Sequence, residues 1–104
     1  MKELIMRVRE KGNKEERIAE LSVEGDLTIS HADKLRDKLL DIMENYPKLE
    51  IKVQRAENID LSIVQLLVST AKTLGPEKFK MSVALTEDQK RLLSRAGLFE
   101  ILHS

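Results

Sequence analysis

The stretch Asn58-Ile59-Asp60-Leu61-Ser62-Ile63-Val64-Gln65-Leu66-Leu67 divides the chain into two halves of different character. To its left, Leu49, Ile51 and Val53 alternate with Glu50, Lys52 and Gln54, the period of a short strand, Leu49 to Val53, with one buried face. The polar residues that follow predict a loop. To its right, Ser62 followed by Gln65 forms an S-x-x-Q capping box, which predicts a helix with Ser62 as its N-cap. Ile63, Leu66, Leu67, Thr70, Ala71 and Leu74 then recur at helical spacing until Gly75-Pro76 ends the run. A hydroxyl is thereby placed beside a carboxylate where a strand turns into a helix.

Toward the N-terminus, Leu4, Met6 and Val8 alternate within Lys2 to Arg9, and Ala19, Leu21 and Val23 alternate within Arg17 to Glu24. Lys11-Gly12-Asn13-Lys14 between them predicts a tight reversal, because glycine and asparagine tolerate positive φ. The two runs form an antiparallel hairpin. Gly25-Asp26-Leu27-Thr28 leaves the second strand, and Ser30 with Asp33 reads as the cap of a helix that buries Ala32, Leu35, Leu39, Ile42 and Met43. Asn45-Tyr46-Pro47 stops that helix, since proline disfavours helical backbone in the preceding residue.

Toward the C-terminus, Phe79, Met81, Val83 and Leu85 predict a last strand. Thr86 with Gln89 caps a third helix, which turns Leu92, Leu93 and Ala96 to the core before Gly97 closes it. Leu98, Phe99, Ile101 and Leu102 form an apolar tail that should dock on the sheet or its helices.

The resulting order is β-β-α-β-α-β-α. Helical crossovers make strands two, three and four parallel, and such crossovers are right-handed almost without exception. Strands covered on both faces read as continuous apolar runs, whereas these alternate, so one sheet face should be open to water. Right-handed crossovers confined to one face step in one direction. The expected fold is a two-layer α/β domain spanning residues 1–104. Its mixed four-stranded sheet has order 1-2-3-4 with the first strand antiparallel, and its helices lie on one face.

Composition narrows the function. Lysine plus arginine equals aspartate plus glutamate at 18 each, and aromatic residues make up 3%, so neither a positive field nor a stacking platform favours nucleic acid. Cysteine is absent, which excludes disulfides and thiolate metal sites. No apolar run reaches membrane-spanning length, and the charged first ten residues do not read as a signal peptide, so a cytoplasmic protein without membrane insertion is expected.

Catalytic readings find little support. The histidines, His31 and His103, lie far in sequence from Ser62, and His31 reads as a surface residue of a helix's first turn. The four glycines stand singly, so no glycine-rich loop cradles phosphate, and no cofactor is implied. Asp33, Asp37 and Asp41 share a helix face, but Lys34, Arg36 and Lys38 beside them make this a solvated charged stripe and not a metal site. Ser62 is fully accounted for as a cap. Its place at a helix N-terminus also suits a phosphate, which would add about −2 charge next to Asp60.

Three segments in order, Gly25-Asp26-Leu27-Thr28-Ile29, Asp60-Leu61-Ser62-Ile63-Val64-Gln65-Leu66-Leu67 and Ala96-Gly97-Leu98, resemble the STAS domain family, the sulfate-transporter and anti-anti-sigma-factor domains. The resemblance spans nearly the whole chain and implies the fold just described. In the bacterial anti-sigma factor antagonists, the segment similar to Asp60-Leu61-Ser62 carries a serine or threonine that a partner phosphorylates. That partner is both an anti-sigma factor and a serine kinase of the histidine-kinase-like ATPase type. The resemblance therefore implies that Ser62 is the phosphoacceptor, that Asp60 is the acidic residue before it, and that Asp26 is the acidic residue of the loop leaving strand two. Together these imply a non-enzymatic, partner-binding rim of Asp26, Thr28, Ser30, Asn58, Asp60, Leu61, Ser62 and Ile63. This chain departs from the pattern at Leu61, at Ile63 where glycine is usual, and at Lys52 where an acidic residue is common. Its Leu-Ser-x-x-Gln-Leu-Leu run is more similar to stand-alone members of signalling or chemotaxis systems. Other members are constitutive scaffold subunits of lipid-transport ATPases, in which case Ser62 is only a cap.

Overall fold

The computed structural model describes residues 3–84 and 86–95, the last four by backbone alone. The expectations for Leu85, Ala96, Gly97, the tail from Leu98 to Leu102, and His103 lie outside the described residues, as does the expected inward orientation of the Leu92 and Leu93 side chains.

Alternation and turn chemistry build the hairpin first. Strand β1 (Leu4–Gly12) pairs antiparallel with β2 (Arg17–Leu27). In the turn, the Asn13 side chain accepts hydrogen bonds from the backbone N–H of Glu15 and Glu16 at 3.0 and 2.7 Å. A 3-10 turn (Ile29–His31) leads into α1 (Ala32–Asn45), followed by β3 (Lys48–Ile59), α2 (Leu61–Leu74), β4 (Phe79–Val83) and α3 (Glu87–Arg95). The sheet order is β1-β2-β3-β4, with β2, β3 and β4 mutually parallel, as the crossover argument requires.

Ala19, Leu21 and Val23 of β2 and Leu49, Ile51 and Val53 of β3 are all buried. They pack with Leu35, Leu39 and Ile42 of α1 and Ile63, Val64 and Leu67 of α2. Each fully buried leucine or isoleucine stabilises the fold by about 1.5–3 kcal/mol relative to exposure. Val64 and Val68 join this core although the helical reading had not assigned them to it. The opposite sheet face carries charge. There Glu20 pairs with Arg9 at 3.0 Å, Lys11 at 3.3 Å and Lys52 at 3.4 Å.

Two elements are longer than the sequence suggested. β2 runs on to Leu27 and β3 to Ile59, where a loop was expected after Val53. The pairs Val23–Val53, Gly25–Ala56, Asp26–Asn58 and Leu27–Ile59 show two register shifts, so β3 absorbs extra residues as bulges. Arg55 takes φ +51° to do so. Gly25 adopts φ +91° where the backbone of Glu3 passes so close that a Cβ would lie 2.3 Å from its carbonyl oxygen. Polar residues from Gln54 to Asn58 hide this strand from a search for alternation.

The helix starts also differ. Ser30 is not a cap. It lies inside the 3-10 turn, and α1 begins at Ala32 with His31 in the N-cap position. The extension of β2 sets this geometry, because Leu27 is still in the ladder and Ile29 is tethered from another element. The Thr86/Gln89 capping box is present as expected, with reciprocal bonds of 3.0 and 3.2 Å.

Candidate functional site

The ends of β2 and β3 bring two connections together. Asp60 donates its backbone N–H to the Leu27 carbonyl at 3.1 Å, which fixes the residue just before α2 in extended backbone, φ −122°. From there its side chain caps α2. Asp60, and not Ser62, is the N-cap, with its carboxylate accepting from the Ile63 N–H. The Ser62 hydroxyl lies within the first turn and donates to Asp60 Oδ1 at 2.5 Å. The other oxygen, Oδ2, accepts the Ile29 N–H at 2.8 Å across 31 positions of chain. One carboxylate thus ties the 3-10 turn to the start of α2.

Burial pushes the Asp60 carboxyl up. The Ser62 hydroxyl and the N–H groups of Ile29, Ile63 and Ser62 outweigh it and hold the group below the usual aspartate range. It is therefore a carboxylate at neutral pH. Ser62 is half-buried, and its side chain lines a depression of about 230 Å³ between α1 and α2, together with Asp33, Arg36, Gln65, Leu66 and Ser69.

Asp26 sits beneath this rim. It is 7% exposed and accepts from the Thr28 hydroxyl at 2.9 Å and the Asn58 side-chain amide at 3.1 Å. His31 Nε2 lies 3.4 Å from Asp26 Oδ2, and the histidine side chain is only 15% exposed, so it is not the surface residue its first-turn position suggested. Ile63 is fully buried in the core. Of the rim read from sequence, Asp26 and Ile63 therefore support the surface from below. Ser30 and Leu61 are exposed on it, and Thr28, Asn58, Asp60 and Ser62 are half-buried. Ile29 falls within the stretch from Asp26 to Ser30, but the sequence reading does not single it out as a site residue. At 71% it is the most exposed large apolar residue among those described, and its N–H is bonded to Asp60, the neighbour in sequence of Leu61, which is 42% exposed. The signal for Ile29 was an isoleucine alone among Thr28, Ser30 and His31.

Asp33, Asp37 and Asp41 are exposed, and among the described residues no acidic or histidine cluster is arranged to hold a metal ion. No helix among them is long and apolar enough to cross a membrane. A larger depression, about 750 Å³, lies along β4 beside Ala71, Pro76, Phe79 and Met81, and none of the rim residues lines it.

Comparison with known proteins assigns the class. The family model described as "Mlab, STAS domain" matches residues 12–103, and the chain belongs to the STAS domain family. Among solved structures it is similar to an anti-sigma factor antagonist from Mycobacterium paratuberculosis. The TM-score is 0.74 at 19% identity, over 96% of this chain and 83% of that one, which establishes a shared fold. No curated protein matches it significantly in sequence.

Proposed function

We propose that this chain is a non-enzymatic regulator that works in the cytoplasm as an anti-sigma factor antagonist. It captures a protein partner through the rim around Ser62 and releases it when Ser62 is phosphorylated. The carrying observation is the Ser62 hydroxyl itself, accessible in a shallow depression, oriented by an ionised carboxylate and flanked by exposed Ile29 and Leu61. Ile29 and Leu61 offer apolar contact, and the hydroxyl marks a spot where a partner shaped for a neutral group would meet charge after modification. An unpaired charge in a docked interface costs about 2–5 kcal/mol, enough to dissociate a typical regulatory complex.

The fold neighbour is an anti-sigma factor antagonist, which supports a partner of the anti-sigma class. A serine kinase of the histidine-kinase-like ATPase type would supply the phosphoryl group from its nucleotide. Ile63, standing where the family usually has glycine, does not obstruct docking because its side chain is buried. Partner capture by Ser62→Ala should match that of the unmodified chain, and Ser62→Asp should abolish it. Equal capture by the two variants rejects the switch.

One observation favours a second reading. The Ser62 hydroxyl already has a structural task in bracing Asp60, so it needs no modification to justify its presence. The chain would then be a constitutive subunit of a signalling, chemotaxis or lipid-transport ATPase assembly. Copurification with a membrane ATPase and a Ser62 that stays unmodified under all conditions distinguish this case.

A further inference from the structure

We propose that in the phosphorylated chain the phosphate is held in cis by Arg36, in the depression between α1 and α2; this rests on the phosphoswitch reading above. The unmodified hydroxyl donates to Asp60 Oδ1. Phosphorylation removes that donor and sets a dianion against a carboxylate, so the modified side chain must turn away from Asp60. The space on its other side is the depression, where the side chains of Asp33 and Arg36 of α1 meet Gln65, Leu66 and Ser69 of α2. Arg36 is the cation among these lining residues, and Gln65 and Ser69 add neutral donors.

Arg36 is available for the exchange. Its present partner is Asp33 at 3.4 Å, with side chains 57% and 88% exposed, and such a surface pair is worth about 0–1 kcal/mol. A phosphate dianion presents more acceptor oxygens and matches the guanidinium fork, so it competes well for the arginine. The charged groups around the phosphate are Asp60 before α2 and Asp33 and Arg36 on α1. Two carboxylates repel it and Arg36 holds it. Modification thereby draws Arg36 across the groove and joins α1 to α2, so the partner meets an altered surface as well as added charge.

The test uses the full chain with phosphoserine genetically encoded at position 62, which needs no kinase, and follows the phosphate's second ionisation by phosphorus NMR. The midpoint should lie about 1 pH unit lower in the parent background than in Arg36→Ala, with Arg36→Lys between them. Lys34→Ala, which removes the same charge from a nearby position on α1, should leave the midpoint unchanged. Equal midpoints in the parent and Arg36→Ala, or an equal displacement by Lys34→Ala, overturn the latch. Arg36 is exposed, and amide spectra report that each variant is folded. Failure of this titration removes the latch alone, whereas absence of phosphoserine from host-derived protein removes the switch alone.

Discussion

At the scale of the residue, Asp60 carries most of the local structure. It caps α2, receives the Ser62 hydroxyl and tethers Ile29. Asp60→Ala should therefore cost about 1–2 kcal/mol of stability in urea unfolding, and Ser62→Ala less than about 1 kcal/mol. The S-x-x-Q reading of Ser62 as cap predicts the opposite ranking. The pH dependence follows from the same contacts. Because the folded Asp60 ionises below its unfolded value of about 3.9, its contribution is present above that pH and is lost as pH falls through the folded value. Asp60→Asn should flatten this acid limb. The sequence brought hydroxyl and carboxylate together but chose the wrong cap, because Asp60 and Ser62 are both good N-cap residues two positions apart. What decides between them is the bond from Asp60 N–H to Leu27, and the bond to Ile29 lies equally beyond the reach of local pattern.

At the scale of the element, the candidate site exists because β2 and β3 overrun their regular pairing. The alternation of Leu49, Ile51 and Val53 was legible, whereas the extension through Gln54–Asn58 was not, since bulged residues break the two-residue period. Arg55 sits in the left-handed region with its side chain 83% exposed, so substitutions there report mainly on backbone. Chemical denaturation should rank Arg55→Gly as least costly, Arg55→Ala next and Arg55→Val worst, with about 1–2 kcal/mol across the series. Gly25→Ala combines positive φ with a clash against Glu3 and should cost at least about 1–2 kcal/mol. A neutral result there would mean that the β1–β2 pairing near Leu4 is looser than described.

For the whole molecule, strand order followed from one-directional right-handed crossovers, and the open sheet face followed from alternation. Hidden from both arguments was how that face is held. Burial pushes the Glu20 carboxyl up, but Lys11, Arg9 and Lys52 together bring it below the usual glutamate range. Its contribution is present above the unfolded pKa and lost as pH falls through the folded one. Thermal unfolding of the parent and Glu20→Gln should therefore differ most at neutral pH and converge in acid. A gap that does not change with pH would show that the loss reflects packing. The regulatory account rests on Ser62 being modified when unbound and unmodified when bound. Intact-mass analysis of the chain recovered from its host, separated into free and partner-bound pools, tests this most directly. The account predicts one added phosphoryl group at Ser62 in the free pool and none in the bound pool; equal modification of both pools, or none in either, would contradict it.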